Sequence, residues 1–555
     1  MNDEGLSAAA AAVDAAAEVV AGATRHLAQA AGDSGRISVA ELDRHQVVAY
    51  DLAHAASAVE GCRVMLDYAS HGDLESMLAR AFVADAVADV GARLIARDEA
   101  WGVEPGLLAP ARPFLATHRS PEFLEALAEQ VERHGTGPAH LSDDFDLVRE
   151  TFHRFAEEKV RPVAEHVHRA NADIPEDVIG GLAEIGGFGL SVPEEYGGFA
   201  SGGESDYLGM VVATEELSWG SLGVGGSLIT RPEILTRAIV KGGTEEQKQR
   251  WLPRIASGEL MVGVMVTEPD FGSDVAGIKV TGTPADGGYR INGVKTWATF
   301  AGRADVLMLL ARTDPDRDAG HRGLSLFVVE KEPAGGHAFA FTQEGGGKVE
   351  GRAIDTIGYR GMHSYEVAFD DWLVPAENLV GEDGGRGKGF YLQMEGFENG
   401  RLQTAARAVG LMQAAFDAGL SYAQERKVFG KAVFDYQLSR AKLARMAALI
   451  QAGRQFSYDV ARRMAKGEGA LEASMVKAYV CRAAEWVTRE AMQLHGGMGY
   501  AEEFPVSRYF VDARVLSIFE GADETLCLRV IARRLTEQAL AEGASAKRTP
   551  EGAGP

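Results

Sequence analysis

Cysteine is nearly absent from this chain: there are three in 555 residues. Cys62, Cys481 and Cys527 are too scattered for a metal-binding spacing or a disulfide framework, which points to a reducing, cytoplasmic setting. Basic residues are also scarce. Fifty-six Lys and Arg face 80 Asp and Glu, for a formal charge of −24 and a pI near 5.1. Such a surface offers no extended footprint for polyphosphate or an anionic bilayer, so neither nucleic acid nor membrane is expected as a partner. A compact anion can still be held locally by arginine, lysine or a helix N-terminus. No uninterrupted apolar run reaches the ~20 residues that a membrane span needs. The Ala-rich residues 1–31 include Asp3, Glu4, Asp14 and Glu18 and lack the basic flank of a signal or transit peptide. What is present is ordinary for a globular protein, 46% hydrophobic and 25% charged. The length suits about three or four domains at ~150 residues each.

Residues 1–140 read as an all-α module of three to five helices. Val47, Val48, Leu52, Ala55, Val59, Val64 and Leu66 recur at helical spacing, residues 74–101 repeat the pattern, and Gly72 separates the two. His45, His54 and His71 are scattered through it and read as surface or packing residues without chemistry. A second helical region spans 141–260. Residues 261–390 then turn to short alternating runs rich in Val, Ile, Thr, Phe and Gly, separated by turn signals such as Asp286-Gly-Gly288 and Asn292-Gly293. This predicts a small β domain of sandwich or barrel type. Long helices return over 391–540, and 541–555 reads as a disordered tail. The fold class is α+β, mainly α, in the order helix, β, helix.

Two patterns near the C-terminus carry chemistry. Gln493-Leu-His-Gly-Gly-Met-Gly-Tyr500 is a turn whose glycines admit close backbone approach to a bulky anionic ligand. Ile518-Phe519-Glu520-Gly521-Ala522-Asp523 sets a carboxylate between an aromatic and a glycine. Alone, each is a common pattern. Two further segments precede them, Val264-Met-Val-Thr-Glu-Pro-Asp-Phe-Gly-Ser-Asp274 and Gly293-Val-Lys-Thr-Trp-Ala-Thr299, together with Glu425-Arg-Lys-Val-Phe-Gly430. By themselves the first two read as strand, turn and strand around a core tryptophan.

In this order and spacing, over about 141–535, the motifs resemble those of the acyl-CoA dehydrogenase family of flavoproteins. The resemblance implies a helical domain, a middle β domain and a C-terminal four-helix bundle, with FAD between the last two. It implies that Thr267, Trp297 and Thr299 meet the isoalloxazine, and that Ser273 reaches both the FAD pyrophosphate and the thioester arm. Arg426, Phe429 and Gln437 would reach the FAD of a neighbouring subunit. Gln493 with the backbone of Gly496, Gly497 and Gly499 would hold its adenosine end. Glu520 falls at the family's general base, 27 residues after Gln493, and would remove an α-proton while the β-hydrogen leaves as hydride to the flavin. Its pKa is expected to be raised by desolvation beside Phe519. Some family members carry the base just before an arginine on an earlier helix; here Gly400 precedes Arg401, so that position is empty. Arg401, Phe519 and Gly521, with Ser273, are taken as substrate contacts. Ala522 stands where the family usually has threonine, which removes one hydroxyl near the adenosine.

The long N-terminal extension, with 354–365 and 396–404, resembles the branch of the family acting on (2S)-methylsuccinyl-CoA in the ethylmalonyl-CoA route. A second carboxylate on the substrate calls for a cation, and Arg231, before Pro232, is the candidate in the region that walls the acyl pocket. An exposed arginine at a helix start is the competing reading. Electron-transfer flavoprotein is the implied electron acceptor. Dehydrogenation of another short or branched acyl-CoA, an O₂-using acyl-CoA oxidase and a non-catalytic binding protein are the alternatives. The resemblance also implies a homo-oligomer. A dimer is favoured over a tetramer, because the extension can cover the bundle surface through which dimers pair.

Overall fold

The computed structural model describes residues 3–546. Four long helices form the extension: Asp3–Ala31, Gln46–Tyr68, Asp73–Leu94 and Pro121–His134, with short helical turns between them. The break falls at Gly72, whose backbone is extended. Ser120 starts the last of the four, its hydroxyl accepting the Phe123 N–H, with Pro121 at the first helical position, where its missing N–H costs nothing.

The first helix, near the N-terminus, is long and apolar enough by length and composition to cross a membrane, contrary to the expectation from uninterrupted runs. Its Ala9, Ala12, Ala16, Val19, Ala23 and Leu27 are buried at three- and four-residue spacing. They form one stripe that packs on the helices Gln46–Tyr68, Asp73–Leu94 and Arg533–Ala546. Alanine raises the helix's hydropathy and also lets these helices approach closely.

Six helices of useful length follow within 143–256. The last, Glu245–Ala256, opens with a capping box in which Thr244 and Gln247 satisfy each other's backbone. Gln247 Nε2 also donates to the carbonyls of Glu377 and Leu379, fastening this domain to the next. The middle domain is one curled, eight-stranded sheet: β1 (Val262–Met265), β2 (Thr281–Ala285), β3 (Gly288–Thr299), β4 (Val306–Arg312), β5 (Leu324–Glu330), β6 (Ala338–Thr342), β7 (Lys348–Ile354) and β8 (Ser364–Pro375). Its order is β1-β4-β2-β3-β8-β7-β6, with β5 also paired to β4. Every residue of β4 is buried because both faces are covered. Val306, Met308 and Leu310 pack toward the helical domain, while Leu307, Leu309 and Ala311 face the sheet's own interior core.

The C-terminal region consists of helices Gly389–Glu425, Gln437–Met464, Ala470–Leu494 and Val506–Leu516, then Arg533–Ala546. The last continues six residues into the segment expected to be a disordered tail; 547–555 lie outside the described residues. The extension docks on this bundle through the helices Gln437–Met464 and Ala470–Leu494. Its ion pairs include Arg463–Glu60 at 2.7 Å, Arg445–Asp85 at 2.9 Å and Arg529–Asp43 at 2.6 Å.

Candidate active site

Glu520 lies in the loop between the helix Val506–Leu516 and the short helical turn Asp523–Thr525. Its backbone is left-handed, at φ 54°, a conformation that costs a non-glycine residue ~1–3 kcal/mol and persists only where the surroundings hold it. Gly521 follows at φ 95°, and Lys477 Nζ holds its carbonyl at 2.6 Å. Among the described residues the Glu520 N–H meets no acceptor, which leaves it available to a ligand carbonyl. The site of the alternative base is adjacent: a Cβ added to Gly400 would lie 3.1 Å from Glu520 Oε2.

Arg231 is not an exposed helix-start residue. It sits in the first turn of the helix Thr230–Gly242 and turns inward, its Nη1 donating to Glu520 Oε1 at 2.6 Å. The two side chains are 6% and 5% exposed. Arg407 and Lys477, both fully buried, and Arg401 add positive charge around the same carboxylate. The Arg407 guanidinium lies over the Phe519 ring, 5.1 Å from its centroid.

This corrects the expected electrostatics. Burial is the largest single influence on Glu520 and pushes its pKa up, but Arg231, Arg407 and Lys477 together hold it below the usual glutamate value. Burial would lower the Arg231 pKa, but Tyr359 and Glu520 together raise it above the usual arginine value. The pocket carries more donors than acceptors. Arg231 Nε, Arg401 Nε and Arg407 Nε and Nη2 are buried without protein partners, as is Glu520 Oε2. Sequence reasoning passed over Arg407 and Lys477. The available signal was their place in Ala-rich helical stretches (Ala405 to Ala408, Ala473 to Ala478), where helical spacing puts a charged side chain in the core.

The remaining predicted residues fall into three groups. Thr267, Trp297 and Thr299 are brought together at the ends of β1 and β3, where the Thr296 N–H donates to Thr267 O at 2.9 Å. Trp297 is 54% exposed with φ 57°, an apolar ring presented outward from a strained strand. Ser273 is exposed and accepts from Thr525 Oγ1 at 2.8 Å, linking this patch to the segment after Glu520. Gln493, Gly496 and Gly497 are exposed, and a Cβ at either glycine would meet nothing within 4 Å. Gly499 is different: a Cβ there would overlap the carbonyl of Met492, so this glycine serves helix packing. Arg426 and Phe429 project from the exposed hairpin 427–432, with Phe429 98% exposed and left-handed before Gly430. Gln437 is exposed, and its Nε2 donates to Glu125 of the extension at 3.1 Å.

An outward-facing tryptophan flanked by threonines, an open di-glycine turn and hydroxyls at Ser273 and Thr525 fit a flat aromatic cofactor with a pyrophosphate arm. Trp297 would lie against its ring, Thr267 and Thr299 would hydrogen-bond the ring's edge, and the Gly496–Gly497 backbone would admit the adenosine end.

The chain belongs to the acyl-CoA dehydrogenase family. Its residues 142–259, 263–372 and 387–536 match the acyl-CoA dehydrogenase N-terminal, middle and C-terminal domains respectively. It is 39% identical over 522 residues to the (2S)-methylsuccinyl-CoA dehydrogenase of Cereibacter sphaeroides, covering 91% of this chain and 93% of that one. A match of that length takes in much of the N-terminal extension. Two solved structures cover a smaller share of the chain. Butyryl-CoA dehydrogenase of Megasphaera elsdenii is 31% identical with a TM-score of 0.64, over 71% of this chain and 99% of its own. A glutaryl-CoA dehydrogenase of Mycobacterium smegmatis in complex with FADH2 is 25% identical with a TM-score of 0.63, over 72% and 96%. The chain is an FAD-dependent oxidoreductase acting on acyl-CoA.

Proposed function

We propose that the substrate is a short branched acyl-CoA with a second, distal carboxylate, (2S)-methylsuccinyl-CoA, and that the product is mesaconyl-CoA. The observation that carries this reading is the ion pair between Arg231 and Glu520 in a pocket with surplus buried guanidinium donors. A pocket for an uncharged acyl chain has no use for that much cationic capacity, since a buried charge without a partner is costly. A substrate carboxylate satisfies it. The 39% identity to a methylsuccinyl-CoA dehydrogenase over nearly the whole chain supports the same substrate.

The pairing also orders the chemistry. While Arg231 grips Glu520, the carboxylate is a poor base. When a substrate carboxylate takes Arg231, the largest influence holding the Glu520 pKa down is removed and burial raises it. The Glu520 carboxylate then takes the α-proton of the thioester. Its own backbone N–H donates to the thioester carbonyl and stabilises the developing enolate. FAD, when bound, supplies the acceptor for the β-hydrogen, which leaves as hydride.

Electron-transfer flavoprotein as acceptor, a homodimeric assembly, a cytoplasmic site of action and a place in the ethylmalonyl-CoA route belong to this proposal. Free, buried Cys62, Cys481 and Cys527 support the compartment. The test is an anaerobic panel of CoA thioesters added to the flavin-loaded protein. Methylsuccinyl-CoA should bleach the flavin fastest, with reoxidation by a dye-coupled acceptor and not by air. Faster bleaching by butyryl- or isovaleryl-CoA would overturn the substrate assignment.

A further inference from the structure

The extension touches the loop that carries Glu520. From the helix Gln46–Tyr68, Tyr50 Oη donates to Asp523 Oδ2 at 2.5 Å, and His54 Nε2 lies 3.1 Å from the same oxygen. The Cys527 thiol lies 3.8 Å from Asp523 Oδ1 and 3.4 Å from His54 Nε2. His54, Asp523 and Cys527 are buried. Burial lowers the His54 pKa against the pull of Asp523, and the imidazole, the phenol and the thiol all face one carboxylate. Burial alone would raise the Asp523 pKa, but His54, Tyr50 and the nearby Arg482 charge hold it below the usual aspartate value.

Asp523 stands three residues after Glu520, and its N–H closes the loop onto Ser517 O at 3.1 Å. Within that closure Glu520 and Gly521 are both left-handed. A strained backbone persists only where its surroundings over-determine it. On the bundle side the loop is fastened by Lys477 on Gly521 O and by Ser517 Oγ on Glu485, at 2.6 Å each. On the other side the fastening is the Asp523 carboxylate. The chain beyond it is π-helical over Leu526–Ala532, which carries Cys527 toward His54.

We propose that Tyr50 and His54 are positioning residues for the catalytic base. By fixing Asp523 they set the backbone of 517–523 and with it the Glu520 carboxylate, which makes the N-terminal extension part of the reaction machinery. The inference rests on Glu520 being the base, and the test separates the two.

Full-length, flavin-loaded Tyr50→Phe, His54→Gln, Tyr50→Phe/His54→Leu and Glu520→Gln variants would be mixed anaerobically with methylsuccinyl-CoA, or with whichever thioester reduces the unaltered enzyme. Amide hydrogen exchange would be followed in parallel. The double variant should reduce its flavin at least ~10-fold more slowly at saturating substrate, the scale of a small misplacement of a reacting group. Its KM should stay within about two-fold. Exchange should accelerate across 517–526 while the helix Gln46–Tyr68 keeps its protection. His54→Gln retains an N–H donor and should recover most of the rate, and the isosteric Tyr50→Phe should fall between. Unaltered rates and exchange in the double variant, with Glu520→Gln inactive, would overturn the positioning role and leave the base standing. Activity in Glu520→Gln would overturn the base. Loss of protection throughout the extension, with flavin loss in proportion to activity, would show a merely structural contact and also count against the proposal.

Discussion

At the scale of single residues, the site is governed by one carboxylate among four cations. Because the Glu520 pKa is depressed in the folded chain, the stability drawn from it is present above the ordinary glutamate value. It is lost as pH falls through the depressed value. Glu520→Gln should therefore flatten the acid limb of the stability curve, by up to ~1.4 kcal/mol per pH unit over that window. Urea unfolding at stepped pH would show it; an unchanged slope would mean that Arg231 does not hold the ion. Arg231→Ala removes the main depressing charge, so the acid limb of kcat for an uncharged thioester should move to higher pH. The same variant should raise KM for methylsuccinyl-CoA by ~30-fold or more, the cost of truncating one partner of a buried charge pair. Equal losses on methylsuccinyl-CoA and an uncharged analogue would sink the carboxylate-binding role. Glu520 itself was legible, since its motif is local and its distance from Gln493 is fixed by one short helix. Its pairing with Arg231 was not, because 289 residues separate the two and no short-range pattern encodes such a contact. The strain at Trp297, Phe429 and Glu520 was equally hidden, as none is a residue type that announces a positive φ.

Elements were easier to read than contacts. Short apolar runs such as β3, β4 and β8 with Gly-rich turns between them predicted the middle domain, and Gly72 marked a helix break in the extension, because backbone preference and burial period act locally. Helix crossings leave a fainter trace in the sequence. The helix Gly389–Glu425 meets Ser205–Gly220 at Gly410, where an added Cβ would overlap the Glu215 carbonyl and press on the Trp219 N–H. Both obstacles are backbone and cannot rotate away. Gly410→Ala should cost about 1–3 kcal/mol, the range for overpacking a tight core, read as a lower thermal midpoint. An unshifted midpoint would show that the two helices can separate freely. Nothing in the one-dimensional pattern distinguishes this glycine from Gly543, around which a Cβ finds open space.

Across the whole molecule, the extension is the feature whose purpose the sequence did not disclose. Its helical character was plain from periodicity, yet its contacts join positions more than 400 residues apart, such as Tyr50 with Asp523, and depend on tertiary structure. It covers the helices Gln437–Met464 and Ala470–Leu494, and its Glu125 engages Gln437. The hairpin bearing Arg426 and Phe429 stays open to solvent on one side of the bundle. One covered face and one open hairpin presenting Phe429 accord with the proposed homodimer. Light scattering of the flavin-loaded protein should give twice the chain mass of 59.2 kDa, and a fourfold mass would overturn it.

The cover over the bundle is joined to it by a peptide bond. A subunit resting on the same helices would be lost on dilution according to its dissociation constant, whereas a tethered module faces its dock at a constant effective concentration. The order that Tyr50 and His54 impose on the loop of Glu520 is thus independent of how much enzyme a cell makes, and specific activity tied to that face holds at trace abundance.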